Sequence, residues 1–123
     1  MAFSGVMLFQ VRPERIEQFE ALAREMRPEQ EKRPGCRMIR YVKRFYTFDQ
    51  IGELPRPLTK IVKCVKYYSY WEFDTIEQYA EAVSWLFEEY GKRVMSLLIM
   101  PFDINSGEVI EESPQRPHED VGM

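Results

Sequence analysis

The sequence predicts a single α+β domain whose elements run β-α-β-β-α-β, and three observations carry that prediction. Residues 60–73 are dense in β-branched and aromatic side chains, which suit a pleated, packed surface. At Asp74 the pattern switches abruptly to helical spacing. Residues 3–11 alternate like a strand, yet both alternating faces are apolar, so that strand must be covered on both sides.

The elements follow in order. The first strand, residues 3–11, places Phe3, Met7, Phe9 and Val11 on one face and Val6 and Leu8 on the other. Pro13 suits a helix start, and Ile16, Phe19, Leu22, Ala23 and Met26 then form a helical stripe, with Pro28 expected to end or kink the helix. Pro34 and Gly35 mark a turn. A second strand is predicted from Cys36 to Phe48, with Arg37, Ile39, Tyr41, Lys43 and Phe45 sharing one face. The polar connection over residues 49–58 reads as a hairpin tip, or as an arm over a pocket mouth or partner subunit. The third strand is residues 60–73. Asp74 or Thr75 caps the helix that follows, with Glu77 or Gln78 as reciprocal partner. Ile76, Tyr79, Ala80, Val83, Phe87 and Tyr90 are its expected stripe, with a break near Ser84 and Trp85 and a resumed helix ending before Pro101. Residues 102–111 read as a last strand, with a turn near Asn105 to Gly107, and residues 94–102 are an alternative strand. Residues 1–111 thus form the expected domain, and residues 112–123 carry too little apolar surface to order themselves.

This order is the split ferredoxin-like arrangement: a four-stranded antiparallel sheet with both helices on one face. The other face would expose Val6, Leu8 and strand aromatics to water, a patch larger than a lone domain tolerates. A homodimer that presses sheet face against sheet face removes that cost.

The net charge of −3 opposes binding to a phosphate backbone. An RNA-recognition domain has the same element order, but residues 65–71 lack its glycine and ring spacing. No apolar run approaches the ~20 residues of a membrane span, and the start reads as a strand instead of a signal peptide, so a cytoplasmic protein is expected. The cysteines, Cys36 and Cys64, fall ~25 Å apart in a hairpin turning near Glu53 and Leu54, so two free thiols are expected. With no histidine before His118 there is no metal site of usual ligands, and no phosphate loop or nucleophile elbow supports a bound nucleotide cofactor.

The first strand running into Val11–Phe19, the Pro34, Gly35 and Cys36 turn, and Tyr70 to Asp74 leading into Ile76–Ala80 together resemble the dimeric α+β barrel superfamily, in particular its antibiotic biosynthesis monooxygenase type. The resemblance spans residues 3–111. It implies homodimers whose sheets close a shared barrel, and activities that include cofactor-free oxygenation of aromatic compounds, haem degradation and isomerisation, beside members without activity. The haem-degrading branch uses an Asn, Trp and His set. This chain has no Asn in its first strand, and Tyr90 stands where that His would be expected.

Aromatic residues remain as candidates. Tyr67, Ser69, Trp71 and Phe73 share one face of the third strand, and a turn near Glu53 and Leu54 sets Tyr41 opposite Tyr67 and Arg37 opposite Trp71. If that face looks toward the second helix, Arg37, Tyr41, Tyr67, Trp71, Trp85 and Tyr90 line an apolar pocket for a small hydrophobic or aromatic ligand. Core filling is the plainer use of such rings. The expected function is a cofactor-independent monooxygenase or related enzyme on an aromatic, quinone-like compound, with Arg37 or Arg93 stabilising an anion; the alternative is a non-catalytic ligand-binding or stress-related dimer of the same fold.

Overall fold

The structure, a computed structural model, describes residues 1–60 and 63–114. Four strands make the main sheet: β1 (Phe3–Val11), β2 (Cys36–Arg44), β5 (Val65–Phe73) and β6 (Asp103–Glu108). Their spatial order is β2-β5-β1-β6, and every pairing is antiparallel. The helices are α1 (Ile16–Glu31) and α2 (Ile76–Met95). A two-residue ribbon, β3 (Tyr46–Thr47) against β4 (Arg56–Pro57), ties together the base of the long connection. This is the predicted ferredoxin-like βαββαβ fold.

The period-2 reading of β1 holds. Met7, Phe9 and Val11 are buried toward the helices, while Val6 and Leu8 lie on the open face. Across from them on β5, Tyr67, Ser69, Trp71 and Phe73 are buried on the helix side. Tilted rings knit this layer: Phe9 with Phe19, Phe19 with Tyr67, and Trp71 with Phe73, at centroid distances of 5.3, 4.7 and 5.0 Å. Gly5 leaves room for the Tyr79 ring, because a Cβ there would lie 2.1 Å from the Tyr79 hydroxyl, which hydrogen-bonds Ser106.

Several expectations need correction. β2 stops at Arg44, and β5 begins at Val65, not Lys60. The hairpin register is two residues from the expected one: Tyr41 faces Ser69, Lys43 faces Tyr67 and Ile39 faces Trp71. An irregularity between Cys36 and Met38 leaves Arg37 outside the ladder altogether. α1 runs through Pro28 without ending there. α2 is continuous past Ser84 and Trp85, and its buried face is Tyr79, Ala82, Leu86, Gly91 and Val94; Ile76 and Phe87 are exposed. Thr75 is the N-cap, accepting from the Gln78 backbone, but the Gln78 side chain makes no reciprocal bond. β6 pairs with β1 without a turn at Asn105 to Gly107. Cys36 and Cys64 are free, as expected. Of the predicted tail, residues 115–123 lie outside the described residues.

Candidate functional site

The six candidate residues do not form one pocket. Trp71 is fully buried, its ring against Phe73 and its indole N–H without a partner. The space between α2 and the sheet is filled by Met7, Trp71, Phe73, Tyr79 and Leu86. Trp85 and Tyr90 meet edge to face at 5.8 Å elsewhere on α2, and each carries a guanidinium over its ring, Arg33 at 4.8 Å and Arg93 at 5.6 Å. Arg93 is itself held by Glu25 at 2.6 and 2.9 Å. Arg37, displaced by the strand irregularity, lies beside an open groove with Cys36, Met38, Arg40 and Glu72. Its charge is met by Asp74 at 2.7 Å and by Glu72 and Glu112 at 3.6 Å, which leaves little of it for an anionic ligand.

Tyr41 and Tyr67 do come together. They line a cleft of about 280 Å³ between α1 and the β2–β5 pair, with Phe19, Glu20, Ala23, Arg24 and Lys43. Alternation along β2 turns Tyr41 and Lys43 to the helix side, and β5 brings Tyr67 opposite Lys43. On α1, Phe19 faces the core, so its neighbour Glu20 sits at the margin where core meets water.

Glu20 is the hub of this cleft. One of its oxygens accepts from the Tyr67 hydroxyl at 2.5 Å and pairs with the Lys43 ammonium at 3.0 Å. The Tyr67 hydrogen bond, and then Lys43, hold the Glu20 carboxyl below the usual carboxylate range. Burial, reinforced by the Glu20 charge, pushes the Tyr67 phenol well above its ordinary value. Tyr41 is raised as well, chiefly by burial, and donates to the buried Gln30 amide oxygen at 2.7 Å. At neutral pH the cleft therefore holds a carboxylate and two protonated phenols beside Lys43 and the Phe19 ring. The Tyr67 and Tyr41 hydroxyls are committed to Glu20 and Gln30, so a phenolic anion there would meet the Lys43 ammonium, which keeps N–H groups beyond its Glu20 contact.

Glu20 and Lys43 were missing from the predicted set. Lys43 shares a strand face with Tyr41, and that alternation could have found it; Glu20 looks like one more acid on a solvated helix face. Among the described residues no group of three or more His, Cys, Asp or Glu side chains could hold a metal ion. No described helix is long and apolar enough to cross a membrane.

The architecture defines a class. The chain has a ferredoxin-like fold, and solved proteins described as a dimeric ferredoxin-like protein and as an antibiotic biosynthesis monooxygenase share it. Among solved structures, it matches Rv0793 from Mycobacterium tuberculosis over 93% of this chain and 100% of that one, at a TM-score of 0.66 and 15% identity. SnoaB from Streptomyces nogalater, a cofactor-independent oxygenase, matches at a TM-score of 0.63 and 13% identity, covering 93% and 98% of the two chains. A dimeric ferredoxin-like protein from an uncultured marine organism matches at 0.61 and 13%, covering 91% and 97%. At such identities the likeness is one of fold. No family model matches the chain, and no curated protein does.

Proposed function

We propose that this protein is a cofactor-independent monooxygenase that takes a small phenolic, quinone-like compound in the cleft between α1 and the β2–β5 pair. The observation that carries this reading is the Glu20–Lys43–Tyr67 cluster at the edge of an aromatic cleft. The fold shared with a cofactor-independent oxygenase supports it.

The chemistry needs few groups. A phenol with an acidic ring CH₂ loses a proton to solvent water to give a delocalised anion, which Lys43 stabilises through its positive charge, and solvent later returns a proton to the peroxide. Tyr67 stays protonated and donates to Glu20, so it orients instead of acting as a base. Glu20, with its lowered pKa, is a weak proton acceptor, which leaves anion stabilisation as the main contribution. The anion passes one electron to dioxygen, and the radical pair joins to a peroxide. Loss of water then leaves a carbonyl, with one oxygen atom in the product and the other in water.

The open face of the sheet belongs to the same proposal. Val6, Leu8, Val42 and Tyr68 lie there, with Val42 49% exposed, and a two-fold partner would cover them. The second reading, a ligand-binding dimer without turnover, is favoured by the filled interior beneath α2. Oxygen uptake on an anthrone-type phenol, without added cofactor, separates the two. The oxygenase reading expects uptake above the buffer rate that falls at least tenfold in Lys43→Met, on the order of one lost charge contact in the transition state. Saturable binding with no uptake above buffer would favour the second.

A further inference from the structure

The end of the sheet that carries Lys43 on its helix side carries a different constellation on its open face. Arg44 on β2 stands directly opposite Lys66 on β5, and Lys66 stands directly opposite Gln10 on β1. Like charges facing each other across a ladder are destabilising. Lys60 and Lys63 lie beside them, and together these exposed side chains line an open hollow of about 470 Å³ with Phe45, Leu58, Ile99 and Met100. Arg37, Lys43, Arg56 and Arg93 each have a carboxylate partner, and this chain has more acids than bases to supply one. Among the described residues Arg44, Lys60, Lys63 and Lys66 have none within 4.0 Å, a state they share with Arg12, Arg15, Arg33, Arg40 and Lys92, but these four meet at one hollow. All four side chains are exposed, but Arg44 and Lys66 face each other across the ladder and Lys60 and Lys63 share the same hollow, so an anion there would relieve their mutual repulsion.

We infer that this hollow is a second binding site, for a small organic oxyanion of the aryl phosphate type. The Arg44 fork and the lysine ammonium groups supply charge-assisted donors for the phosphate oxygens. Phe45, Leu58 and Ile99 supply the apolar wall for the ring. Gln10 adds a further polar group whose placement is set on both sides: its amide nitrogen meets the Met100 sulfur at 2.9 Å and its oxygen accepts from the Cys64 thiol at 3.7 Å. The site is separate from the Glu20 cleft, because Arg44 and Lys66 project from the opposite side of the sheet to Lys43 and Tyr67. It borders the Leu8, Tyr68 and Val42 row assigned above to the partner copy, so it is a site at the rim of that contact.

Calorimetric titration of the full chain at low ionic strength tests this with phenyl phosphate, inorganic phosphate and phenol as probes. The expected result is one phenyl phosphate per chain, bound at least about tenfold more tightly than inorganic phosphate because the ring is buried as well. Lys66→Gln should weaken phenyl phosphate by about tenfold or more, the worth of one charge-assisted contact. Lys92→Gln, an equal charge change on exposed α2, should leave it unaltered. Thermal melts without ligand add a readout independent of binding: Lys66→Gln should melt higher than the parent at low salt, because it relieves the repulsion with Arg44. Four results would overturn the inference: no saturable binding by the folded parent; equal affinity for phosphate and phenyl phosphate; equal weakening by Lys92→Gln; or a lower melting point for ligand-free Lys66→Gln. Dissociation of a parent dimer by Lys66→Gln, without phenyl phosphate binding in the parent, would assign the cations to a second copy of the chain instead.

Discussion

Replacing Tyr67 by Phe isolates the hydrogen bond at the heart of the cleft. The ring stays packed against Phe19 at 4.7 Å, so no cavity opens and only the hydroxyl contact to Glu20 is lost. A hydrogen bond to a charged group contributes about 1.5–3 kcal/mol, but the Glu20 side chain is 30% exposed and keeps Lys43, which places the loss at or just below the lower end, about 1 kcal/mol. For a domain of this size that is a fall of about 3–5 °C in melting temperature at pH 7. The loss depends on pH with a definite sign. The folded Glu20 carboxyl lies below its ordinary 4.5, so its stabilisation is fully present above that value and fades as pH falls through the folded pKa. Urea unfolding of parent and Tyr67→Phe, followed by far-ultraviolet circular dichroism at pH 7 and again near pH 3, should therefore show a gap that narrows in acid. A gap of equal size at both pH values, or a variant as stable as the parent at pH 7, would refute the account of Glu20.

Other outcomes follow from the same structure. Trp71→Ala should cost about 3–5 kcal/mol in urea unfolding, because it empties a fully buried site in the core. Gly35→Ala should cost about 1–3 kcal/mol in the same assay, since φ is +79° there and a Cβ would overlap the Gln78 side chain. Tyr68→Asp should shift sedimentation equilibrium from dimer toward monomer by placing a charge in the centre of the open face; an unchanged association constant would remove that face from the interface.

The fold was legible wherever one period dominated. β1, with its two apolar faces, and β5, with its alternating rings, carry their burial in the pattern alone. α2 was harder to phase, because apolar residues such as Ile76 and Phe87 stand on its wet side and widen the apparent stripe. The β2 register is offset by two residues over the whole of Met38–Arg44, as the long connection sets it, while a separate irregularity at Cys36 and Met38, which has no side-chain signature, moved Arg37 out of the proposed pocket. Face sharing put Tyr41 and Tyr67 on one side of the sheet, and both line the cleft against α1, not one against α2. It said nothing about depth, which is why Trp71, on the same face, proved to be core. Glu20 and Lys43 were hidden for a different reason: a charge at the margin of an apolar stripe cannot be told from a solvated one until the opposing strand is in place.

Plugging the cleft tests the central claim most directly. Ala23 lines it from α1, and Ala23→Trp would fill the space beside Tyr41 and Tyr67 while leaving the Glu20 and Lys43 residues and the open face unsubstituted. With an anthrone-type phenol in air, the parent should consume about one dioxygen per substrate, as the oxygen balance requires, while folded Ala23→Trp should fall to the rate of buffer. A plugged protein that turns over as fast as the parent would move the chemistry out of this cleft.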